Sequence, residues 1–188
     1  MDYRPDLSFI ATLHSELEGF EGFIDSVEYN AASTQYSRGA WLTLSTERAI
    51  SPQRFWFGCY AQAGKLRYEI KTFDPAKHLD LHHKTLGLSY NRYVGLYLPE
   101  AGKPTLWRVR QGPRAFEASG LGPHGDVTIS TLERQLLGPS QEGDQRRLLD
   151  NCYVQVATRA FRLRLDIERY GVPRFDSFAR DALPALYR

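Results

Sequence analysis

Three of the five histidines fall within six residues, in the run Phe73-Asp74-Pro75-Ala76-Lys77-His78-Leu79-Asp80-Leu81-His82-His83-Lys84. Asp before Pro is a good helix start, because Asp caps free N–H groups and Pro suits the first helical position. On such a helix His78 and His82 share a face at i and i+4, and Asp74 lies i−4 from His78. Metal binding needs two or three such side chains on a rigid element, and His124, in a loop between Pro123 and Gly125, is the further candidate ligand. His78-Leu79-Asp80 can also be read as the His-x-Asp of a two-His-one-carboxylate iron site, with His124 as the distant histidine and Arg134 as the group holding a cosubstrate. That site needs a strand at His-x-Asp, whereas Asp74-Pro75 argues for a helix. The metal set is therefore His78, His82, His124 and Asp80, holding a zinc or iron ion, and a metal-free acid/base histidine is a variant of the same reading. Lys77, His83 and Lys84 fit a solvated helix equally well. The plainer expectation is a protein without a cofactor.

Other catalytic patterns are missing. There is no Gly-x-Ser-x-Gly elbow, no Gly-x-Gly-x-x-Gly and no Gly-x-x-x-x-Gly-Lys-Ser/Thr run. Gly120-Leu121-Gly122-Pro123-His124-Gly125 is Gly-rich, but Pro123 removes an amide that a phosphate cradle would use. Cys59 sits in Phe57-Gly58-Cys59-Tyr60, on the face of Phe55 and Phe57. A nucleophilic thiolate wants an electropositive, exposed place, so a buried thiol is expected.

Arginine is the other organised chemistry, with 19 Arg against 5 Lys. The guanidinium is a planar fork that fits carboxylate or phosphate and stacks on aromatic rings. Arg67 lies on one predicted strand, Arg108 and Arg110 on a second, and Arg162 and Arg164 on a third. If the strands share a sheet, these side chains join into a basic face, with Trp56 and Tyr60 as stacking groups. Glu69, Asp166 and Glu168 would oppose this by cross-strand pairing.

The elements that must position these groups follow from periodicity. Phe9, Ile10, Leu13 and Leu17 recur at helical spacing and predict a helix over 7–17, and 30–38 reads as a loop. Trp41–Leu44 is strand-like. Alternation over 55–61 and 66–70 around Ala63-Gly64 predicts a β-hairpin, and the histidine-bearing helix follows, ending near Gly87. A second hairpin is read from 93–98 and 105–110 as its arms. Short strands are expected near 115–118 and 127–130, a short helix over 131–137, and a helix from Asp144 carrying Leu148, Leu149, Cys152, Val156 and Ala160. Strict alternation from Phe161 to Glu168 predicts a strand.

The expected fold is α+β, a twisted and mostly antiparallel sheet, or partly closed barrel, with helices near the N-terminus, after the first hairpin and in the C-terminal third. A length of 188 residues suits a single domain over 1–188. No apolar run reaches membrane-spanning length, and the first residues carry no signal-peptide pattern. Two cysteines in a chain this size point to a reducing compartment, the cytoplasm. A net charge of +2 is too small to draw nucleic acid by bulk field. The functional expectation is a binding protein that uses Arg and aromatic side chains to hold a protein partner or a small anionic ligand, as inhibitors and immunity proteins do. The alternative is an enzyme centred on His78–His83.

Overall fold

The computed structural model describes residues 1–30, 32–33, 35–46, 50–73, 84–98, 104–140 and 151–174. Fourteen strands run in chain order: β1 (Asp2–Tyr3), β2 (Phe9–Leu17), β3 (Phe20–Asn30), β4 (Gln35–Ser45), β5 (Arg54–Gln62), β6 (Lys65–Phe73), β7 (Thr85–Leu88), β8 (Val94–Tyr97), β9 (Leu106–Gln111), β10 (Arg114–Ala115), β11 (Gly122–Ser130), β12 (Leu137–Pro139), β13 (Asn151–Val156) and β14 (Leu163–Tyr170). Among the described residues the only helical element is one 3-10 turn, Pro5–Leu7. The described residues are therefore all-β, and the α+β expectation is corrected.

Every strand pairing is antiparallel, and nine strands close a ring in the order β2-β3-β4-β8-β7-β6-β9-β11-β14 and back to β2. Closure removes the exposed edges that an open sheet of this size would present. β5 pairs with Phe9–Thr12 of β2 on one side and with all of β6 on the other, so it closes a smaller ring inside the same sheet.

The strand at β2 corrects the predicted N-terminal helix. Phe9, Ala11 and Leu13 alternate into the core, while Ile10 is buried on the opposite face. Apolar residues on both faces at the start of the strand imitate a helical stripe. Two further helices are corrected in the same way. The tract from Cys152 to Val156 is strand, with Val154 and Val156 pointing into the core, and β13 pairs with β4 and β12. At 131–137 a tight turn replaces the short helix. The Thr131 N–H donates to the Gln135 carbonyl at 2.9 Å, the Gln135 N–H donates to Thr131 Oγ1 at 3.2 Å, and Arg134 is left-handed at φ 69°. The proposed C-cap at Gly87 lies within β7, and residues 74–83 lie outside the described residues. The tract read as a loop over 30–38 is mostly strand, with Tyr29 paired to Tyr36 across β3 and β4.

The first predicted hairpin stands as β5–β6. Ala63 and Gly64 both take left-handed φ values, 48° and 69°, as a two-residue turn between right-twisted strands requires. The second predicted hairpin has strands in both arms, but they are not partners. β8 pairs with β7 and β4, whereas β9 pairs with β6, β10 and β11. The predicted strand at Phe161–Glu168 is β14.

The interior holds a cluster of buried apolar and aromatic side chains. Phe9 and Phe57 stack at 4.6 Å between ring centres, with the Tyr68 and Phe116 rings set edge-on around Phe9. Phe116 and Ala118 follow β10 into the core, and the Tyr68 hydroxyl donates to the Phe116 carbonyl at 2.8 Å. Each of these fully buried large side chains contributes about 1.5–3 kcal/mol of transfer free energy. A second, outer cluster joins Ile10, Trp56, Phe73 and Val172, with Tyr3 packed against it. No helix of the described residues is long and apolar enough to cross a membrane.

Candidate functional site

The sequence-predicted arginines do come to one sheet, but they divide into two groups. β6 and β9 pair Tyr68 with Trp107 and Glu69 with Leu106. One step further in that register sets Arg67 opposite Arg108 on the outer face, since Tyr68 and Trp107 point inward. β9 pairs in turn with β11, placing Ser130 opposite Arg108 and Thr128 opposite Arg110. The outer row thus reads Arg67, Arg108, Ser130.

Among the described residues, the charges of this row and of neighbouring Arg110 are not neutralised. Arg67 donates to the Leu66 carbonyl at 2.7 Å, and Arg110 donates to the Pro113 carbonyl. Arg108 Nε is buried with no hydrogen-bond partner. Among the described residues none of the three is ion-paired to a carboxylate. Burial first, and then the charge of Arg108, push the Arg67 pKa below its ordinary value. Glu69 is the nearest acid along β6, but it is engaged on its other side, by Lys71 Nζ at 3.0 Å and by the Tyr60 hydroxyl at 3.2 Å.

The second group is neutralised. Arg164 makes a fork onto Asp166, with contacts of 3.1 to 3.3 Å, and lies 3.7 Å from Glu16. Arg162 lies 3.7 Å from Asp126. β14 therefore contributes cross-strand and along-strand ion pairs rather than free positive charge, an ordinary use of charge on an exposed sheet face.

The two aromatic candidates are buried. Trp56 is 0 % exposed and Tyr60 3 %. Tyr3 stacks on Trp56 at 6.3 Å and meets Tyr60 edge-on at 5.3 Å, and its hydroxyl ties the tail by donating to the Val172 carbonyl at 2.7 Å. Lys71 Nζ sits 5.3 Å from the Trp56 ring centre. Trp56 belongs to the outer packing cluster and Tyr60 is buried beside it against Tyr3, so neither ring offers an open face for stacking.

Of the predicted metal set, His78, His82 and Asp80 lie outside the described residues. His124 is half-buried, edge-on to Phe116, with Nε2 3.4 Å from the Gly120 carbonyl. Among the described residues no three His, Cys, Asp or Glu side chains converge to hold a metal ion. Cys59 is fully buried, and burial pushes its thiol up to about 11, which keeps it protonated at neutral pH. Cys59 and Cys152 are both free thiols. Ser130 is the residue that the sequence reading missed. Its tract was legible as a strand, but nothing local says which strand pairs with it.

Glu28 stands apart as a carboxyl packed over Gly39, with Oε1 buried and unbonded. Burial raises its pKa above the ordinary 4.5. A folded-state value above the unfolded one means that ionisation opposes folding. The penalty is absent below the unfolded value, grows as pH rises through the folded value, and is complete above it. Glu28→Gln is therefore expected to raise Tm at pH 8 and to leave it unchanged near pH 4. Thermal melts across that range check the sign, and a gain of equal size at both ends contradicts it.

Comparison of the chain with protein-family models, with curated proteins and with solved structures returns no match.

Proposed function

We propose that this barrel is a binding protein that holds an anionic partner on its outer face, at the arginines of β6 and β9. The observation that supports the reading is the contrast between Arg67, Arg108 and Arg110, which lack carboxylate partners among the described residues, and Arg162 and Arg164, which have them. Holding unpaired guanidinium groups side by side in a partly buried row opposes folding unless an anion relieves it. The same row then supplies a fork geometry that an acidic group can enter.

The test uses fluorescent poly-glutamate as the probe at low ionic strength. Arg108→Ala combined with Arg110→Ala is expected to weaken binding at least tenfold, about 1.4 kcal/mol. Global stability should stay within about 1 kcal/mol, as for other surface substitutions. Arg162→Ala with Arg164→Ala, which removes charge already neutralised, should leave binding within a factor of two or so of the unmutated protein. Equal weakening by the two double variants, or none by the first, overturns the proposal.

A further inference from the structure

Three side chains in the outer row carry donors, and among the described residues none of the three is paired with a carboxylate; Arg67 donates only to the neighbouring Leu66 carbonyl. Arg67 and Arg108 are cross-strand neighbours, and Ser130, 4 % exposed, lies directly across β9–β11 from Arg108. Arg108 Nε is enclosed without a hydrogen-bond partner, a cost a folded protein ordinarily avoids. Of the acids on β6 and β11, Glu69 is engaged by Lys71 and Tyr60, and Asp126 by Arg162.

We infer that Arg67, Arg108 and Ser130 form a seat for a doubly charged tetrahedral oxyanion, the phosphoryl group of a small phosphate monoester or the free phosphate or sulfate dianion. The inference rests on the proposed anion-binding function and narrows its ligand class. Charge decides between oxyanions. Two adjacent guanidinium groups carry two positive charges, so a monocarboxylate leaves one unbalanced, whereas a phosphate or sulfate dianion matches both. Geometry points the same way. A tetrahedral group has enough oxygens to accept from both arginines and from a hydroxyl at once, whereas a carboxylate has two. Burial around Arg108 strengthens each contact relative to open water.

The experiment follows thermal unfolding with inorganic phosphate, sulfate and acetate titrated at constant ionic strength. Phosphate and sulfate are expected to raise Tm along a saturable curve, as a ligand that binds only the folded state does, and acetate is expected to raise it much less. Arg108→Gln should weaken the apparent phosphate affinity at least tenfold. Arg67→Gln provides the same reading if Arg108→Gln fails to fold, and Ser130→Ala should weaken affinity a few-fold. A response no larger for phosphate than for acetate overturns the inference, as does an unchanged phosphate affinity in both arginine variants. If poly-glutamate binding depends on Arg108 and Arg110 while phosphate has no effect, the dianion seat is wrong and the broader reading stands. If phosphate saturates through Arg67 and Arg108 while poly-glutamate binding ignores the double variant, the seat stands and the broader reading falls.

Discussion

Asp25→Ala is expected to cost the barrel about 3 kcal/mol, at the lower end of what breaking a buried ion pair costs. Asp25 is 2 % exposed and sits where β3 bulges between Asp25 and Val27. One carboxylate oxygen accepts from the Ser26 N–H at 2.7 Å and from Arg38 Nε at 3.1 Å. The other accepts from the Gln53 N–H at 2.8 Å and from Arg38 Nη2 at 3.4 Å. Arg38 Nη2 also donates to the Ser51 carbonyl at 2.6 Å, so the one acid joins the bulge, β4 and the approach to β5. Alanine strands two backbone N–H groups, each costing about 1–3 kcal/mol when left buried and unpaired. The Arg38 side chain is 40 % exposed, so water takes up part of its lost pairing, and this keeps the total near the lower end. Urea unfolding measures the loss. Arg38→Met in the Asp25→Ala background should recover part of it, because the unpaired charge is then gone. A loss below about 1 kcal/mol would show that the carboxylate does not organise the bulge.

Gly58→Ala is expected to be the second large effect, about 2–3 kcal/mol. A Cβ built on Gly58 would lie 1.9 Å from Trp56 Cη2 and 2.5 Å from Cζ2 and Cζ3. The indole lies across the glycine on the outer face of β5, and it is fully buried among Ile10, Phe73 and Val172. A ring enclosed in this way cannot swing aside without opening the cluster. Trp56→Phe removes the atoms that collide, so the cost of Gly58→Ala should fall to about 1 kcal/mol or less in that background. The difference between the two backgrounds is the coupling that a double-mutant cycle reports. Additive losses would mean that the strand tolerates a Cβ at this position and that the indole is held by something else.

These two residues illustrate where sequence reading stops. Asp25 and Gly58 are a single acid and a single glycine in β-prone tracts, and the partners that matter across the fold lie 13 and 28 residues away for Asp25 and two residues away, on the same face, for Gly58. Only the Gly58 partner is close enough to be read from local alternation. Even there, alternation places Trp56 on a face without saying that the face is covered. The basic face was legible as Arg67, Arg108 and Arg110 at outward positions of predicted strands. Arg162 and Arg164 looked identical by the same criterion, because neutralisation by Asp126, Asp166 and Glu16 depends on strand neighbours and rotamers.

What the sequence alone determined is local. The β5–β6 hairpin follows from alternation around a turn whose two residues take left-handed φ, and β14 follows from strict alternation of apolar and charged residues. The lack of any described helix at 9–17 and at 151–156 was decided by tertiary structure. Both tracts have apolar residues compatible with either period, and the choice falls to whichever arrangement buries them against neighbouring strands. Pairing across long sequence separations put Arg67 beside Arg108 and Ser130, and the N-terminal Tyr3 and the late Val172 together covered Trp56 and Tyr60. Backbone hydrogen bonding is the same for every strand pair, so register and order are set by the fit of whole faces against one core, which no short stretch of sequence contains.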